Sequence, residues 1–554
     1  MLAVRFRRIF TILVLGSFLL SGWSFSSGQT RLDGVVVAEH DAAVRAGMET
    51  LEQGGNAVDA AVAAAFVLAV VDPASSGLGG GGVMVVYQSR DKKAHALDFT
   101  AVSPAVAPAL YRAGAEVRRG RLESGALAVA VPGTVAGLAE ALKRFGRLPL
   151  ETVLAPAIRY ATEGFRVAPG LRRAIADNLP ALRRRGNFSR IFLDSAGAPH
   201  AVGGIIRQPE LAESLKTIAR EGAAAFYEGA VGQAIAARLK QDGGAVTLND
   251  LNSYKPVWRP PLIGSYRGRT VITVPPPSAG GLTLLGLLNV MEGYGPDQFR
   301  HNSGAYLHLV AETTKAGTAD LLEHLGDPDS SEVPVQRITS RERASAVRKR
   351  ISLERAGPLP RVRPTENGGT DHIGVLDGDG NAVSMSLALG SPFGARVLVR
   401  ETGIILNNQM RNFSLAGSGS GEPADNAPNL LKPRKRPVNG MTPAVLLEDD
   451  RPVLIVGASG GSPITGAVLQ TILNVVDFRM PLKPAVAAPR IHVPADEGQT
   501  VEVEPAVTGE AVKALEGKGH AVRRKPRLGA VQAIAVEGKR ITGASDPRKA
   551  EAAR

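Results

Sequence analysis

Residues 369–389 read GTDHIGVLDGDGNAVSMSLAL, and this stretch decides the fold. Two apolar-rich runs of strand length, 372–376 and 382–389, flank the sequence DGDGN, whose composition is typical of a tight turn. A calcium-binding loop would need glycine at its sixth position and an acid at its twelfth, but Ala382 and Ala388 stand there. The pattern therefore predicts a β-hairpin.

Thr370 stands at the start of this hairpin, directly after Gly368 and Gly369. A threonine hydroxyl is a poor nucleophile unless a base stands beside it. A threonine at the first position of a chain carries such a base, its own α-amine, with an unperturbed pKa of about 7.7–8.0. A cut between Gly369 and Thr370 would create that terminus, and the glycines would permit the strained backbone that intramolecular attack requires. The alternative is a threonine that merely begins a strand.

The composition restricts the chemistry further. The chain has 554 residues, 44% of them hydrophobic and 21% charged, which is typical of globular proteins and far from a disordered composition. It contains no cysteine, so disulfides, thiolate catalysis and thiolate metal sites are excluded. A nucleophile must therefore be a serine, a threonine, a lysine or a carboxylate.

The first residues have the features of an export signal. Three arginines at 5, 7 and 8 precede an apolar run at 9–25 and a small, polar stretch at 26–29. We predict a signal peptide at 1–26, a periplasmic or secreted protein, and no stable membrane association after cleavage. An uncleaved membrane anchor is the alternative, although the run is short for one. The formal net charge is +13, but an exported protein meets little nucleic acid, so we expect no such partner.

Several further segments carry a structural prediction. The patterns favour helices at 56–69, 134–144, 150–163 and 210–220, and strands at 82–87 and 95–99. Frequent lysine, arginine and proline at 332–370 predict a mobile connector, and the small, polar stretch at 414–429 is long enough to be a lid.

Three other motifs were weighed against the Thr370 hypothesis. The glycines at 77–82 fit GxGxxG, but a helix precedes and a strand follows them, the reverse of a dinucleotide site. GASGG at 457–461 fits a nucleophile elbow, and Ser459, Asp477 and His492 follow the chain order of an α/β-hydrolase. His308 and Glu312 share a helix face without a second histidine at ligand spacing, so we expect neither a metal nor a cofactor.

From about residue 34 to residue 549 the chain resembles the γ-glutamyltransferases. The resemblance is carried by long blocks in a fixed order, which include GGNAVDAAVAAAFVLAVVDP (54–73), GLGGGGVMVVY (77–87), TDHIGVLDGDGNAVS (370–384), ETGIILNNQMRNFS (401–414), KPRKRPVNGMTPAV (432–445), GASGGSPI (457–464) and GASDPR (543–548).

The resemblance implies an α+β, N-terminal-nucleophile fold, a four-layer αββα sandwich with two stacked antiparallel sheets. It also implies autocleavage into a large subunit, 27–369, and a small subunit, 370–554, which together form one fold. Members of the family attack a γ-glutamyl amide such as glutathione, form an acyl-enzyme and pass the acyl group to water or an amino acid. Gly460 and Gly461 match the family's oxyanion hole, and Gln409 matches a pocket position.

The donor pocket departs from the family pattern. Thr100 replaces the arginine that binds the glutamate α-carboxylate, and Asn412 replaces the acid that binds its α-ammonium. Asn439 and Gly440 stand in place of two paired serines. Ala388 and Gly390 stand in place of a pocket threonine and a pocket asparagine. Charge-assisted hydrogen bonds are about twice as strong as neutral ones, so α-amino-acid recognition should be weak. We therefore predict a γ-glutamyl-related or simple acyl amide donor. A glutaryl amide would suit Asn412 but not Thr100, and Arg411 or Arg396 are candidates to compensate.

Three other functions stay open on the sequence alone. The chain could be an ordinary glutathione hydrolase despite the altered pocket. It could be a serine hydrolase that uses Ser459, or an idle scaffold that kept the fold.

Overall fold

The structure, a computed structural model, describes residues 34–106, 120, 122–184, 186–318, 324–358, 368–414, 427–494 and 500–549. The predicted signal peptide at 1–26 and most of the predicted lid, at 415–426, lie outside the described residues. Within the described part of the chain, no helix combines the length and apolarity that crossing a bilayer requires.

Two six-stranded antiparallel sheets form the centre of the molecule. The first contains β1 (Val35–Ala38), β2 (Gly81–Gln88), β3 (Lys93–Phe99), β6 (Val257–Arg259), β9 (Gly369–Leu376) and β10 (Ala382–Gly390), in the order β1-β9-β10-β2-β3-β6. The second contains β7 (Leu262–Tyr266), β8 (Arg269–Thr273), β13 (Ala444–Glu448), β14 (Arg451–Ser459), β18 (Ala530–Glu537) and β19 (Arg540–Ser545), in the order β19-β18-β14-β13-β8-β7. The predicted hairpin is confirmed as β9 and β10, at the middle of the first sheet.

Smaller strand pairings lie outside the two main sheets. They join β4 (Phe165–Arg166) with β5 (Ile205–Ile206), β11 (Val397–Val399) with β12 (Ile404–Leu406), and β15 (Ile491–His492) with β16 (Thr500–Val503) and β17 (Ala521–Arg524).

Helices cover the outer face of each sheet. Those that share the hydrophobic cluster of the first sheet are Asp41–Glu52, Ala57–Val71, Thr134–Phe145, Leu150–Glu163, Pro169–Asp177, Leu179–Arg183, Gly186–Phe192, Pro209–Glu221, Ala224–Tyr227, Ala230–Gln241 and Leu248–Asn252. Those beside the second sheet are Ala279–Met291, Gly304–Thr318, Val335–Ile338, Arg341–Arg350, Ile464–Val476, Leu482–Ala487 and Gly509–Gly517. Short 3₁₀ turns occur at Ala126–Ala128, Pro296–Gln298 and Gln409–Asn412.

The two sheets meet across a third hydrophobic cluster. Val83 and Val85 of β2 and Leu376 of β9 pack there with Ile455 of β14 and Ile534 of β18. Side chains alternate along a strand, so each sheet has one face toward its helices and one toward the other sheet. These clusters give the order helix, sheet, sheet, helix, and the predicted αββα sandwich is confirmed.

The helix Ala57–Val71 shows how the sequence forms one of these layers. Its residues are apolar on every side except at Asp59, and all of them are buried. The Asn56 side chain accepts hydrogen bonds from the amides of Val58 and Asp59, and the Asp59 carboxylate accepts one from the amide of Asn56. This capping box fixes the start of the helix beside the first sheet.

The region predicted as a mobile connector is partly helical, so that prediction is wrong for its first half. Ser340 caps the helix Arg341–Arg350 by accepting from the amide of Arg343. Ala344 and Val347 then pack against Val290. A short run of apolar positions at helical spacing thus outweighs the charged composition. The rest of the connector, 359–367, lies outside the described residues.

Candidate active site

The junction between Gly369 and Thr370 lies where the hairpin becomes irregular. Thr370 is opposite Ala388 and Gly369 is opposite Gly390, so Leu389 is an extra residue on β10. A β-bulge of this kind bends its strand and occurs frequently beside active sites. The side chain of Thr370 is buried, with a relative exposure of 1%.

Gly369 is held in very close contact with the neighbouring chain. A Cβ atom at this position would lie 2.6 Å from the carbonyl oxygen of Ser391. Gly368, just before it, has a φ of +79°, which disfavours residues with a side chain. The backbone before Thr370 is therefore tightly constrained and depends on glycine.

The GASGG segment lies beside this junction. Gly368, Ser459 and Gly460 line one cavity of about 340 Å³. Gly460 and Gly461 have φ values of +111° and +77°, and they end the β14–β18 ladder after Ser459. The helix Ile464–Val476 follows, so the segment is the strand-to-helix turn that the sequence suggested.

The other two residues of the predicted triad, Asp477 and His492, have contacts of their own. Asp477 accepts hydrogen bonds from the hydroxyl of Tyr266, at 2.6 Å, and from Nε of Arg267, at 3.1 Å. The backbone of His492 pairs with Glu502 in β15 and β16. The Asp477 carboxylate is thus engaged away from the turn, which weighs against the serine hydrolase alternative.

A cluster of buried charges lies on the other side of the Thr370 strand. The ammonium of Lys549 is 2.7 Å from Asp371 Oδ1 and 3.0 Å from Asp72 Oδ2. It also lies 3.4 Å from the carbonyl oxygen of Thr370. Glu39, at the end of β1, accepts from the amide of His372 at 2.6 Å.

Three acids around one lysine cannot all remain ionised at low cost. Burial, and then the charge of Asp72, raise the pKa of Asp371 well above its usual range, and burial raises the pKa of Glu39. Burial also opposes ionisation of Asp72, but the charge of Lys549 together with hydrogen bonds to Asp371, Lys549 and Ser75 lowers the pKa of that carboxyl. Despite burial, the acids raise the pKa of Lys549. The cluster thus places one buried ammonium among three carboxyls, and Asp72 is the one of the three whose pKa is lowered.

His372 is a structural residue in this arrangement. Its ring lies against Gly457 of the second sheet, and it is hydrogen-bonded to Ser386 at 2.9 Å and Ser384 at 3.3 Å. Complete burial lowers its pKa to about 3, so the ring is neutral near pH 7. A supporting role on the Thr370 face of β9 fits these contacts better than proton transfer.

Gln409 connects the pocket position Ala388 with Ala101, the neighbour of Thr100. Its Oε1 accepts from the amide of Ala101 at 3.2 Å, and its Nε2 donates to the carbonyl of Ala388 at 2.9 Å. Thr100, next to Ala101, donates its hydroxyl hydrogen to Asp98 at 2.7 Å. Gln409 thus links the segment of Thr100 to Ala388, and the Thr100 hydroxyl already has an acceptor in Asp98.

Gly390 has no room for the asparagine of the family pattern. Its φ is +103°, and a Cβ there would lie 2.2 Å from Oδ1 of Asn408. Asn408 fills this space because it accepts from the amide of Ser391 and donates to the carbonyl of Glu123. The amide of Asn408 thus occupies the space beside Gly390.

Two other pocket positions offer unused hydrogen-bonding atoms. Within the described residues, Oδ1 of Asn412 and Nδ2 of Asn439 are buried and have no hydrogen-bond partner. Gly440 accepts from the hydroxyl of Thr442 at 2.9 Å. A buried polar atom without a partner costs free energy, so each is a candidate to bind a ligand.

Of the two arginines considered as replacements, Arg411 contacts Ser391, whose carbonyl oxygen lies close to Gly369. Its Nη1 is 2.6 Å from Oγ of Ser391 and 3.1 Å from a carboxylate oxygen of Glu123. Arg396 instead donates to Oδ1 of Asn178 at 3.0 Å.

The structure adds His520 to the pair His308 and Glu312, a contact that sequence spacing could not predict. Atoms of the three residues that could bind a metal lie within 4.8 Å of one another. However, His308 Nδ1 is bonded to His520 Nε2 at 2.7 Å, and Lys315 occupies both Glu312 Oε1 and His520 Nδ1. The donor set is satisfied by a buried cation, so these residues do not fit a metal.

Comparison with known proteins identifies the family. A family model described as Gamma-glutamyltranspeptidase matches residues 43–554. The chain belongs to the gamma-glutamyltranspeptidase family. A relative from Escherichia coli (strain K12), "Glutathione hydrolase proenzyme", is 37% identical over 543 residues, covering 94% of this chain and 91% of the relative. "Acylase ACY 1 proenzyme" of Pseudomonas sp. (strain SE83) is 37% identical over 512 residues, covering 91% and 89%.

A solved structure supports the same assignment. The cephalosporin acylase from Bacillus halodurans has a TM-score of 0.84 and 29% identity, and the match covers 96% of this chain and 98% of the acylase. The protein is therefore an enzyme with the N-terminal-nucleophile fold, a gamma-glutamyltranspeptidase-like amidohydrolase or acyltransferase. The idle-scaffold alternative is set aside. The names of its relatives as proenzymes fit an enzyme that is processed before it acts on amides.

Sequence reasoning missed the charged cluster around Lys549. Asp72 lies inside the matched block 54–73, and Lys549 directly follows the matched block 543–548. A charged residue inside or beside such a block was the available signal.

Proposed function

We propose that the protein is a self-cleaving amide hydrolase or acyltransferase whose nucleophile is Thr370 and whose donor lacks the zwitterionic end of a γ-glutamyl group. The observation that carries the proposal is the Gly369–Thr370 junction, buried, glycine-dependent and opposite a β-bulge, beside the cavity that Gly460 lines. The rival nucleophile, Ser459, lacks the support of Asp477.

Maturation would begin with attack of the Thr370 hydroxyl oxygen on the Gly369 carbonyl carbon. The peptide C–N bond breaks, an ester forms, and the threonine nitrogen becomes an amine. Water then hydrolyses the ester, which leaves a carboxylate on Gly369 and a free hydroxyl on Thr370. Gly369 packs so closely against Ser391 that no side chain fits there, so the carbonyl to be attacked is tightly confined.

Turnover would use the two groups that cleavage places on one residue. The Thr370 amine takes the hydroxyl proton as the oxygen attacks the donor carbonyl, and it returns the proton to the leaving nitrogen. The amides of Gly460 and Gly461 are the proposed oxyanion hole. Water or an amine then accepts the acyl group and regenerates the hydroxyl.

The donor class follows from the pocket positions. Thr100 is committed to Asp98, and Asn412 and Asn439 offer one neutral acceptor and one neutral donor, both buried. Neutral partners bind uncharged amide or hydroxyl groups better than they bind an α-ammonium and an α-carboxylate. We therefore assign a polar but uncharged acyl chain to the donor.

A panel of anilides tests the proposal. We expect kcat/KM for a plain or hydroxylated acyl anilide to exceed that for the γ-glutamyl anilide by at least about tenfold, since each lost charged hydrogen bond is worth about 1.5–3 kcal/mol. The glutaryl anilide separates loss of ammonium recognition from loss of carboxylate recognition. Preference for the γ-glutamyl compound would restore the ordinary glutathione hydrolase alternative.

Two variants identify the nucleophile in the same assay. Thr370→Ala should reduce turnover by about 10⁴-fold or more, as removal of a nucleophile does in other enzymes. Ser459→Ala should retain most of the activity. The reverse result would establish the serine hydrolase alternative.

A further inference from the structure

Lys549 connects two separate segments beside the proposed nucleophile. Its ammonium contacts Asp371 on β9, Asp72 after the helix Ala57–Val71, and Oγ of Ser75 at 3.1 Å. It also reaches the carbonyl oxygen of Thr370 at 3.4 Å.

A lysine in such a place needs a reason beyond packing. Removing an ammonium and two carboxylates from water is costly, and apolar residues of similar volume often replace a buried ion pair without loss. The Asp371 side chain is fully buried, and that of Lys549 is only 23% exposed. Lys549 also lines the cavity that Gly460 and Gly368 share.

We propose that Lys549 is a positioning residue for the nucleophile, which fixes the Thr370 carbonyl and places a positive charge beside the amine that cleavage creates. The inference rests on the proposed function, because it requires Thr370 to become N-terminal. The amine and the carbonyl belong to the same residue, so an ammonium bound to the carbonyl lies within about 4–6 Å of the amine, the range in which charges shift a pKa. A like charge there favours the unprotonated amine, the form that acts as the base.

The other charges around the site do not replace Lys549. The acids of the cluster are Asp72, whose pKa is lowered, and Glu39 and Asp371, whose pKa values are raised by burial. Burial lowers the pKa of His40 and His372, so both rings are neutral. The remaining charged groups are Arg548, which is bound by Glu504 and Asp546, and the cavity residues Arg173, Asp177 and Arg527. Without Lys549, the amine would face Asp72 uncompensated.

The experiment compares the pH dependence of kcat/KM in Lys549→Met and the wild-type enzyme, with the best anilide of the panel. Loss of the cation should move the acidic limb to higher pH by about one unit or more, because the amine then holds its proton more tightly. Lys549→Arg keeps the charge and should restore the wild-type limb. Lys315→Met removes another buried lysine, paired with Glu312 at 2.9 Å, and should lower stability without moving the limb.

The outcomes separate this inference from the proposed function. If wild-type protein is uncleaved, or Thr370→Ala remains active, the proposed function itself fails. If cleavage and turnover depend on Thr370 but Lys549→Met keeps the wild-type limb and cleavage rate, only the role of Lys549 is overturned. The role of Lys549 would also be overturned if the acidic limb of kcat/KM lay at the same pH in the Lys549→Met and Lys315→Met variants. A folded Lys549→Met protein that cleaves much more slowly than Lys315→Met would support positioning before cleavage.

Discussion

Asn412 offers the simplest test of the donor pocket at the scale of one residue. Asn412→Asp places a carboxylate where the family pattern has an acid, with little change in volume. We expect kcat/KM for the γ-glutamyl anilide to rise by about tenfold or more, because an ammonium would gain a charge-assisted bond. Plain acyl anilides should gain nothing and serve as the control. A uniform loss for both substrates would contradict the assignment of Asn412 to the donor pocket.

Gly390 should resist the corresponding reversion. Gly390→Asn would place a Cβ 2.2 Å from Asn408 Oδ1 at a φ of +103°, so we expect a loss of about 3 kcal/mol in the free energy of unfolding. Gly243 has a φ of +73° with open space around it, and Gly243→Asn should cost only about 1 kcal/mol. Thermal unfolding of both variants measures the difference. Equal shifts would show that Asn408 does not fill the space.

Asp377 links the β9–β10 hairpin turn to the start of the helix Ala57–Val71. Its carboxylate accepts from the amides of Asp379 and Asn381 in the hairpin turn, and from the amide of Ala57 at the start of a helix. Asp377→Ala would leave these donors without a partner, so we expect a loss of about 3 kcal/mol in stability. The acidic limb of the pH profile should not move, because Asp377 has no role in proton transfer.

The matched control for this prediction is Asp379→Ala. Asp379 forms an ion pair with Arg147 in which both side chains are about half exposed, so its loss should change stability by no more than about 0.5 kcal/mol. Urea unfolding at neutral pH compares the two variants. Similar losses would mean that the turn, rather than its link to the helix, sets the stability.

The elements themselves were largely predictable from local pattern. The hairpin, the helix Ala57–Val71 and the helix Leu150–Glu163 follow from the periodicity of apolar residues close in sequence, and Asn56 adds a side-chain cap to the first of these helices. The bulge at Leu389 was not predictable, because it depends on pairing between strands. Nor was the contact of Lys549 with Asp371, which are 178 residues apart. The helix Arg341–Arg350 was not predicted, because its few apolar residues are buried only through tertiary contact with Val290.

For the whole molecule, two buried histidines predict sensitivity to acid. Burial lowers the pKa of His372 to about 3, and burial followed by Lys315 lowers that of His520 to about 3, against 6.5 when unfolded. Between these values the unfolded chain binds more protons, so stability should fall as the pH decreases from 6.5, by up to about 1.4 kcal/mol per pH unit for each histidine. Urea unfolding of the Thr370→Ala precursor at pH 7.5, 6 and 5 measures this slope. His520→Gln should reduce the slope, and an unchanged slope would contradict the prediction.

The sandwich as a whole was predictable only through resemblance. Alternating helix and strand patterns suggest mixed structure, but nothing local states that β9 packs against β14 with Ile455 between the sheets. The candidate site shows the same division. Thr370, Gly460 and Gln409 came from motifs, whereas Glu39, Asp72 and Lys549 became visible only when the fold brought them to one strand.

The most direct measurement is the intact mass and N-terminal sequence of purified, active protein. The account predicts two polypeptides, with the smaller one beginning at Thr370, and a single unprocessed chain for Thr370→Ala. An active preparation in which Gly369 and Thr370 remain joined by a peptide bond would contradict the central claim.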